Sequence, residues 1–313
     1  MRIWSLVDDR WREGDAEGAI LRWFDLARED GDQLHALANR YHLHPLAVED
    51  CLSPMMHAPK IDDFGNVLFI VLQTLDPGIE GPVPEELDLF VGHDFFISYS
   101  DGPGAGNRAA MALDSALRNG IGVRPGADGL AYELADRAVD DILPQVHALA
   151  ERLESLQSTV LAGSSDNRVN REVLELRARA GRIRRVLVSE LGVVQRLSRG
   201  EFTEIAEPNR IYFRDVYDHL VRVDLGLEEL REDAEVALST YLSAFNNRIS
   251  DVMKVLAVVG ALALPASVIA GIFGTNFDNV PGLHSNWGFL AMILSMTGLA
   301  GGMAWYFRHR GWF

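Results

Sequence analysis

Apolar and polar positions change period along the chain. In the first 100 residues, short apolar runs bounded by polar ones predict strands at RIWSLV (2–7), NVLFIVLQTL (66–75), LDLFVG (87–92) and DFFISYS (94–100). Between them, GDQLHALANRYH (31–42) and PLAVEDCLS (45–53) predict helices. From GLAYELADRAVDDILPQVHALAERLESLQSTVL (129–161) onward the pattern is almost wholly helical, with AGSSDN (162–167) as the clearest break. Pro208 and Pro265 then bracket 56 proline-free residues. Within them Val216, Leu220, Val223, Leu227, Leu230, Ala234, Ala237, Tyr241 and Phe245 recur at steps of three and four, a helical seam. At about 1.5 Å per residue such a helix reaches on the order of 80 Å. Asn209 is its start signal and Gly274 its stop.

Two longer runs carry no Asp, Glu, Lys or Arg: 255–277 and 279–307. A helix of about 20 apolar residues crosses a bilayer, and core helices of soluble proteins are rarely uncharged on every side for this length. Trp287, Trp305, Tyr306 and Trp312 lie where an interfacial aromatic belt would. Lys254 precedes the first run, and Arg308 and Arg310 follow the second. Positive flanks face the cytoplasm, so both termini are expected there, with the 275–286 loop outside. The N-terminal MRIWSLVDDRWREGD lacks the apolar centre of a secretory signal.

Charge sharpens this picture. The formal net charge is -16; residues 255–307 add only Asp278 and residues 308–313 add two arginines, so residues 1–254 carry -17. An acidic body argues against nucleic acid and suits solubility or the gathering of cations. Cys51 is the only cysteine, which excludes an intrachain disulfide and a cysteine-built zinc site and fits a reducing compartment. No P-loop, G-x-G-x-x-G, H-E-x-x-H or nucleophile elbow is present, so no enzyme is expected. His35, His42, His44 and His57 are scattered, which suits core or surface roles.

On the first run, Ser250, Met253, Leu256 (or Ala257), Gly260, Leu264, Ser267, Gly271 and Gly274 share one stripe. Its small residues suit both close helix packing and the lining of a pore. The stripe ends at Gly274-Thr275-Asn276, followed by Asp278.

The segment YLSAFNNRISDVMKVLAVVGALALPASVIAGIFGTNFDNVPGL (241–283), with one more span and a basic tail, resembles the CorA family of divalent-cation channels. So do YHLHPLAVEDCLSPMMHAPKIDDFGNVLFIVLQTL (41–75) and IYFRDVYDHL (211–220), as cytoplasmic domain and stalk. The resemblance implies an α+β homopentameric funnel in the inner (plasma) membrane. Its parts would be a cytoplasmic α/β domain (1–128), a helical hairpin (129–208), a stalk (209–254), a pore helix (255–274), an external loop (275–286), a second span (287–307) and a cytoplasmic tail (308–313).

It further implies a selectivity filter at Gly274, Thr275 and Asn276, and a pore lined by Ser250, Met253, Leu256, Gly260, Leu264 and Ser267, with Met253 and Leu256 as a dewetting gate or ordinary packing. Asp278 marks the outer mouth. Glu49, Asp50 and Asp215 match positions that bind regulatory magnesium between subunits, although surface acids on a short helix would look the same; Asp136, Asp140 and Asp141 are further ligand candidates. The chain departs from the family pattern where Thr275 replaces Met, Gly282 replaces an acid and Ser250 replaces Asn. The expected cargo is magnesium, with cobalt or nickel. The alternatives are zinc, as in the related ZntB branch and with proton coupling, or a membrane-anchored sensor or scaffold that conducts nothing.

Overall fold

The computed structural model describes residues 1–8, 10–76, 83–100, 126–161, 167–275 and 285–312. Seven strands form one sheet: β1 (Arg2–Val7), β2 (Arg10–Glu13), β3 (Leu21–Ala27), β4 (Lys60–Asp63), β5 (Leu68–Asp76), β6 (Val83–Val91) and β7 (Phe95–Ser100). Their order is β2-β1-β3-β7-β6-β5-β4, with β3 and β7 parallel and every other pair antiparallel. All four expected strands are present. Three were not expected: β2 and β4 have four residues each, and β3 (LRWFDLA) is covered on both faces and does not alternate.

Successive side chains of a strand point to opposite faces. Leu68, Ile70 and Leu72 of β5 and Leu87, Leu89 and Val91 of β6 enter one core, while Phe69, Val71 and Phe90 enter the other. Helices α1 (Gly31–Tyr41) and α2 (Pro45–Leu52) cover the second core through Leu34, Leu37, Ala47 and Val48. Helix α3 (Ala127–Asp140) covers the first through Leu130, Ala131 and Leu134, joined by Leu197 and Phe213.

Helices α4 (Leu143–Leu161) and α5 (Asn167–Arg199) follow; the expected break at 162–167 lies almost wholly outside the described residues. Helix α6 runs unbroken from Arg210 to Phe273. Its seam from Val216 to Tyr241 is buried, but Phe245 is exposed, so the covered seam ends one turn earlier than the spacing predicts. Asp128 in the first turn of α3 anchors the entry to α6. Its Oδ2 accepts from Asn209 Nδ2 at 2.8 Å and from the Ala206 amide at 2.9 Å. Helix α7 (Gly288–His309) extends past the expected end at 307.

The chain divides into two compact units, 1–162 with 166–238, and 163–165 with 239–313.

Candidate cation pathway and regulatory carboxylates

The second unit holds two helices long and apolar enough to cross a membrane, with only 6% of each apolar window buried within the chain. A soluble core helix would be mostly covered; these are not. On α6 the covered or half-covered positions are Val258, Ala261, Leu262, Pro265, Ala266, Ile269 and Phe273, with Gly260 half-buried apart from them, and on α7 they are Gly288, Met292, Met296, Ala300, Met303 and Phe307. Each set is one helical stripe. The predicted pore stripe lies on the other side of α6. Ser250, Met253 (60% exposed), Leu256 (71%), Leu264 and Ser267 are open, and Gly260 is half-buried.

The end of this span is tightly wound. The Gly274 amide donates to the Ala270 carbonyl at 2.9 Å, and the Thr275 amide to Ile272 at 3.2 Å, so the ladder shortens from four residues to three. The helix ends at Phe273, as the stop signal at Gly274 predicts, but Gly274 does not sit in the left-handed region. A Cβ there would lie 3.1 Å from the Ala270 carbonyl, so the small residue serves close backbone approach. The hydroxyls of Ser267 and Thr275 donate to the carbonyls of Ala263 (2.8 Å) and Ile272 (2.7 Å). Both oxygens retain acceptor capacity after donating. Asn276 and Asp278 lie outside the described residues. Pro265 sits inside α6, where it supplies no amide to the carbonyl of Ala261.

In the first unit, Pro45 opens α2 behind His44, whose Nδ1 accepts from the Leu46 amide at 3.3 Å. One turn on, Glu49 is exposed beside the groove between α1 and α2. Asp50 is engaged: its Oδ2 binds Lys60 Nζ at 2.7 Å, and its Oδ1 lies 3.6 Å from His57 Nε2. Lys60 also meets Asp62 at 2.7 Å. Burial opposes the Lys60 charge, but hydrogen bonds to Asp50 and Asp62 outweigh it and raise its pKa. The other ring nitrogen of His57 meets Glu86 Oε1 at 3.1 Å, and the His57 amide donates to Glu86 Oε2. Glu86, 29 residues away in sequence, thus shares His57 with Asp50, a pairing no spacing rule predicts. Deeper, Asp88 is buried against Cys51; burial and the Glu86 charge push its pKa well above the carboxylate range.

Asp215 on α6 is 62% exposed, with His219 one turn away at 3.9 Å. Asp136 of α3 comes beside them. Its pKa is pushed up to about 6, chiefly by burial, then by the charge of Asp140; His219 opposes the rise, and Glu133 and Asp215 add to it. No spacing along the chain pairs Asp136 with Asp215; the fold brings them near each other. Asp50 and Asp215 form no contact within one chain, and no group of three or more His, Cys, Asp or Glu among the described residues could hold a metal ion. Carboxylate oxygens are hard donors of the kind that suit magnesium and calcium.

The chain combines an α/β unit with two helices long and apolar enough to cross a membrane. The chain belongs to the CorA-like Mg2+ transporter protein family, whose model matches residues 18–309. It is 28% identical to the putative metal ion transporter YfjQ of Bacillus subtilis over 93% of this chain and 89% of that protein. It is 29% identical to the cobalt/magnesium transport protein CorA of Thermotoga maritima over 90% of this chain and 80% of the relative. A zinc transport protein ZntB of Pectobacterium carotovorum aligns at 25% identity over 88% of this chain and 83% of its own length. The complete structure of the CorA magnesium transporter from Methanocaldococcus jannaschii has the same fold, with a TM-score of 0.87 at 19% identity over 100% of this chain and 98% of that one.

Proposed function

We propose that the protein conducts divalent metal cations as a homopentamer in the inner (plasma) membrane, with both termini cytoplasmic. The observation that carries the reading is the single helix Arg210–Phe273, which bears the acidic Asp215 near one end and the uncharged stripe ending at Gly274 at the other. Five such stripes line the pore, and Met253 and Leu256 form apolar rings that gate by dewetting. Five Asn276 amides face the ion beyond them. A dication, magnesium above all, holds its water tightly, so neutral amide oxygens address the hydration shell. A carboxylate ring would bind too strongly for throughput. Asp278 gathers cations at the outer mouth.

Magnesium, with cobalt or nickel, is the preferred cargo. The ZntB similarity and Thr275 favour zinc as the second reading. A non-conducting scaffold leaves Asn276 without a role. Internal magnesium regulates flux by bridging Glu49 and Asp50 of one subunit to Asp215, aided by Asp136, of its neighbour. It binds the closed assembly preferentially and so stabilises it.

Liposomes loaded with magnesium- or zinc-selective dyes test the reading. Magnesium entry with wild type and its loss in Asn276→Ala, at equal oligomer content, is the expected result. Full flux in the variant removes the filter assignment, and no dication flux in wild type leaves the scaffold.

A further inference from the structure

Helix α5 presents an outer face that no described part of the chain covers. Arg171, Leu174, Ala178, Arg182, Arg185 and Val188 follow at steps of three and four, and all six are exposed; Glu175 is exposed on the same side, so the face carries three arginines and one acid. The opposite face, with Val173, Leu176, Ala180, Ile183 and Leu187, is buried. Other arginines on α4 and α5 are spent inside the chain: Arg177 meets Glu235 at 2.6 Å, Arg184 meets Asp224 at 2.7 Å and Glu228 at 2.6 Å, and Arg152 meets Glu172 at 2.6 Å. Arg171, Arg182 and Arg185 have no ion pair among the described residues.

The complementary surface lies on the same unit. Helices α4 and α6 border an open groove of about 620 Å³ whose charged lining is acidic: Glu151 and Glu154 from α4, Glu229 and Asp233 from α6. These four carboxylates are exposed and unpaired among the described residues, and no residue of α5 lines the groove. Leu225 and Val236 are exposed nearby on α6, as Leu174 and Val188 are on α5.

We propose that the basic face of α5 in one copy docks into the acidic α4–α6 groove of the next. The inference rests on the reading of the protein as an assembly of identical copies and names the surfaces that join them. Chains carrying -16 each repel one another. In such an assembly an uncommitted cation is best placed against the neighbour's anions. Single exposed pairs contribute little, so the charges select the partner and its register while the apolar residues beside them supply burial. Because the two surfaces differ, the contact is head-to-tail: each copy offers one of each, and the series closes into a ring or runs on as a filament.

The test uses the full chain in membranes, with buried Cys51 as the wild-type background. Arg182→Cys is combined with Glu154→Cys, Glu229→Cys or Asp233→Cys and treated with a flexible bis-maleimide. A head-to-tail contact yields a ladder ending at the ring size for at least one combination, whereas each single variant stops at dimers. Ladders from none of the three, with wild type still oligomeric by native mass spectrometry, overturn the surfaces and leave the assembly standing. A monomeric wild type overturns both. In addition, within that cysteine pair, Arg171→Glu with Arg185→Glu should cut the yield of the ladder at least tenfold, and adding Glu151→Arg with Glu229→Arg (or with Asp233→Arg where residue 229 carries the cysteine) should restore it. An unchanged yield, or no restoration, defeats the proposal.

Discussion

The two units handle polarity in opposite ways. In the first, carboxylates enter the interior and are met there: Asp128 by Asn209 and the Ala206 amide, and Glu190 by the Gln73 amide at 2.8 Å; half-buried Asp50 is met by Lys60. In the second, charge is excluded from 255–277, and the hydroxyls of Ser267 and Thr275 turn back on their own helix. Water tolerates an unmatched charge at a surface, and hydrocarbon does not. The acidic unit can therefore keep ionisable groups in reserve, while residues 255–277 hold only neutral oxygens.

The largest expected effect concerns Glu190. It is fully buried, and burial pushes its pKa up to about 8 against the lowering effect of the Gln73 amide. The folded state thus holds its proton more tightly than the unfolded chain does. This stabilisation is complete below the unfolded value near 4.5 and is lost as pH rises through about 8, at up to about 1.4 kcal/mol per pH unit. Glu190→Gln should flatten that slope in thermal unfolding of detergent-solubilised protein between pH 5 and 8. Identical slopes in the two proteins would show that the carboxyl reaches water.

Removing the acceptor at the entry to α6 comes next. Asp128→Ala leaves the Asn209 amide and the Ala206 N–H unmet, at about 1–3 kcal/mol, while Asp128→Asn should recover part of it. Equal melting temperatures for wild type and Asp128→Ala would contradict the anchor.

Regulation should respond more mildly. Asp215→Asn is expected to raise the internal magnesium concentration needed for half-inhibition by roughly tenfold, equivalent to about 1.4 kcal/mol. Asp215→Lys should favour closure without magnesium. Superimposable inhibition curves at fixed ionic strength would exclude Asp215 from the sensor. The smallest effect is expected at Lys60, whose ammonium occupies the Asp50 oxygen that a metal would use. Lys60→Gln should lower the half-inhibiting concentration a few-fold, and a rise would mean that Lys60 holds Asp50 in place for the metal.

How much of this was legible follows from the range of each interaction. The seam from Val216 to Tyr241 and the two uncharged runs are local periodicities, and the helices follow them closely. β4 was hidden because four residues carry too little pattern, and β3 because burial on both faces erases alternation. The acids Glu49, Asp50 and Asp215 were visible only through family resemblance. No local pattern marks His57, Glu86 and Lys60 as a group; they meet Asp50 of α2 or each other only when the segment leading into β4, and β6, pack beside that helix. Glu190 lies in an arginine-rich helix that reads as solvated, and only the α5-to-β5 contact at Gln73 identifies it.

Pro265 gives the first span a mechanical character. Near its midpoint one rung of the hydrogen-bond ladder is missing, and flanking Ala263 and Ala266 add little bulk. A rod bends where its stiffness is least, so thermal tilt concentrates at this joint. The Gly274 end and the Met253 end then behave as two short levers on a common pivot, and a displacement of one reaches the other damped.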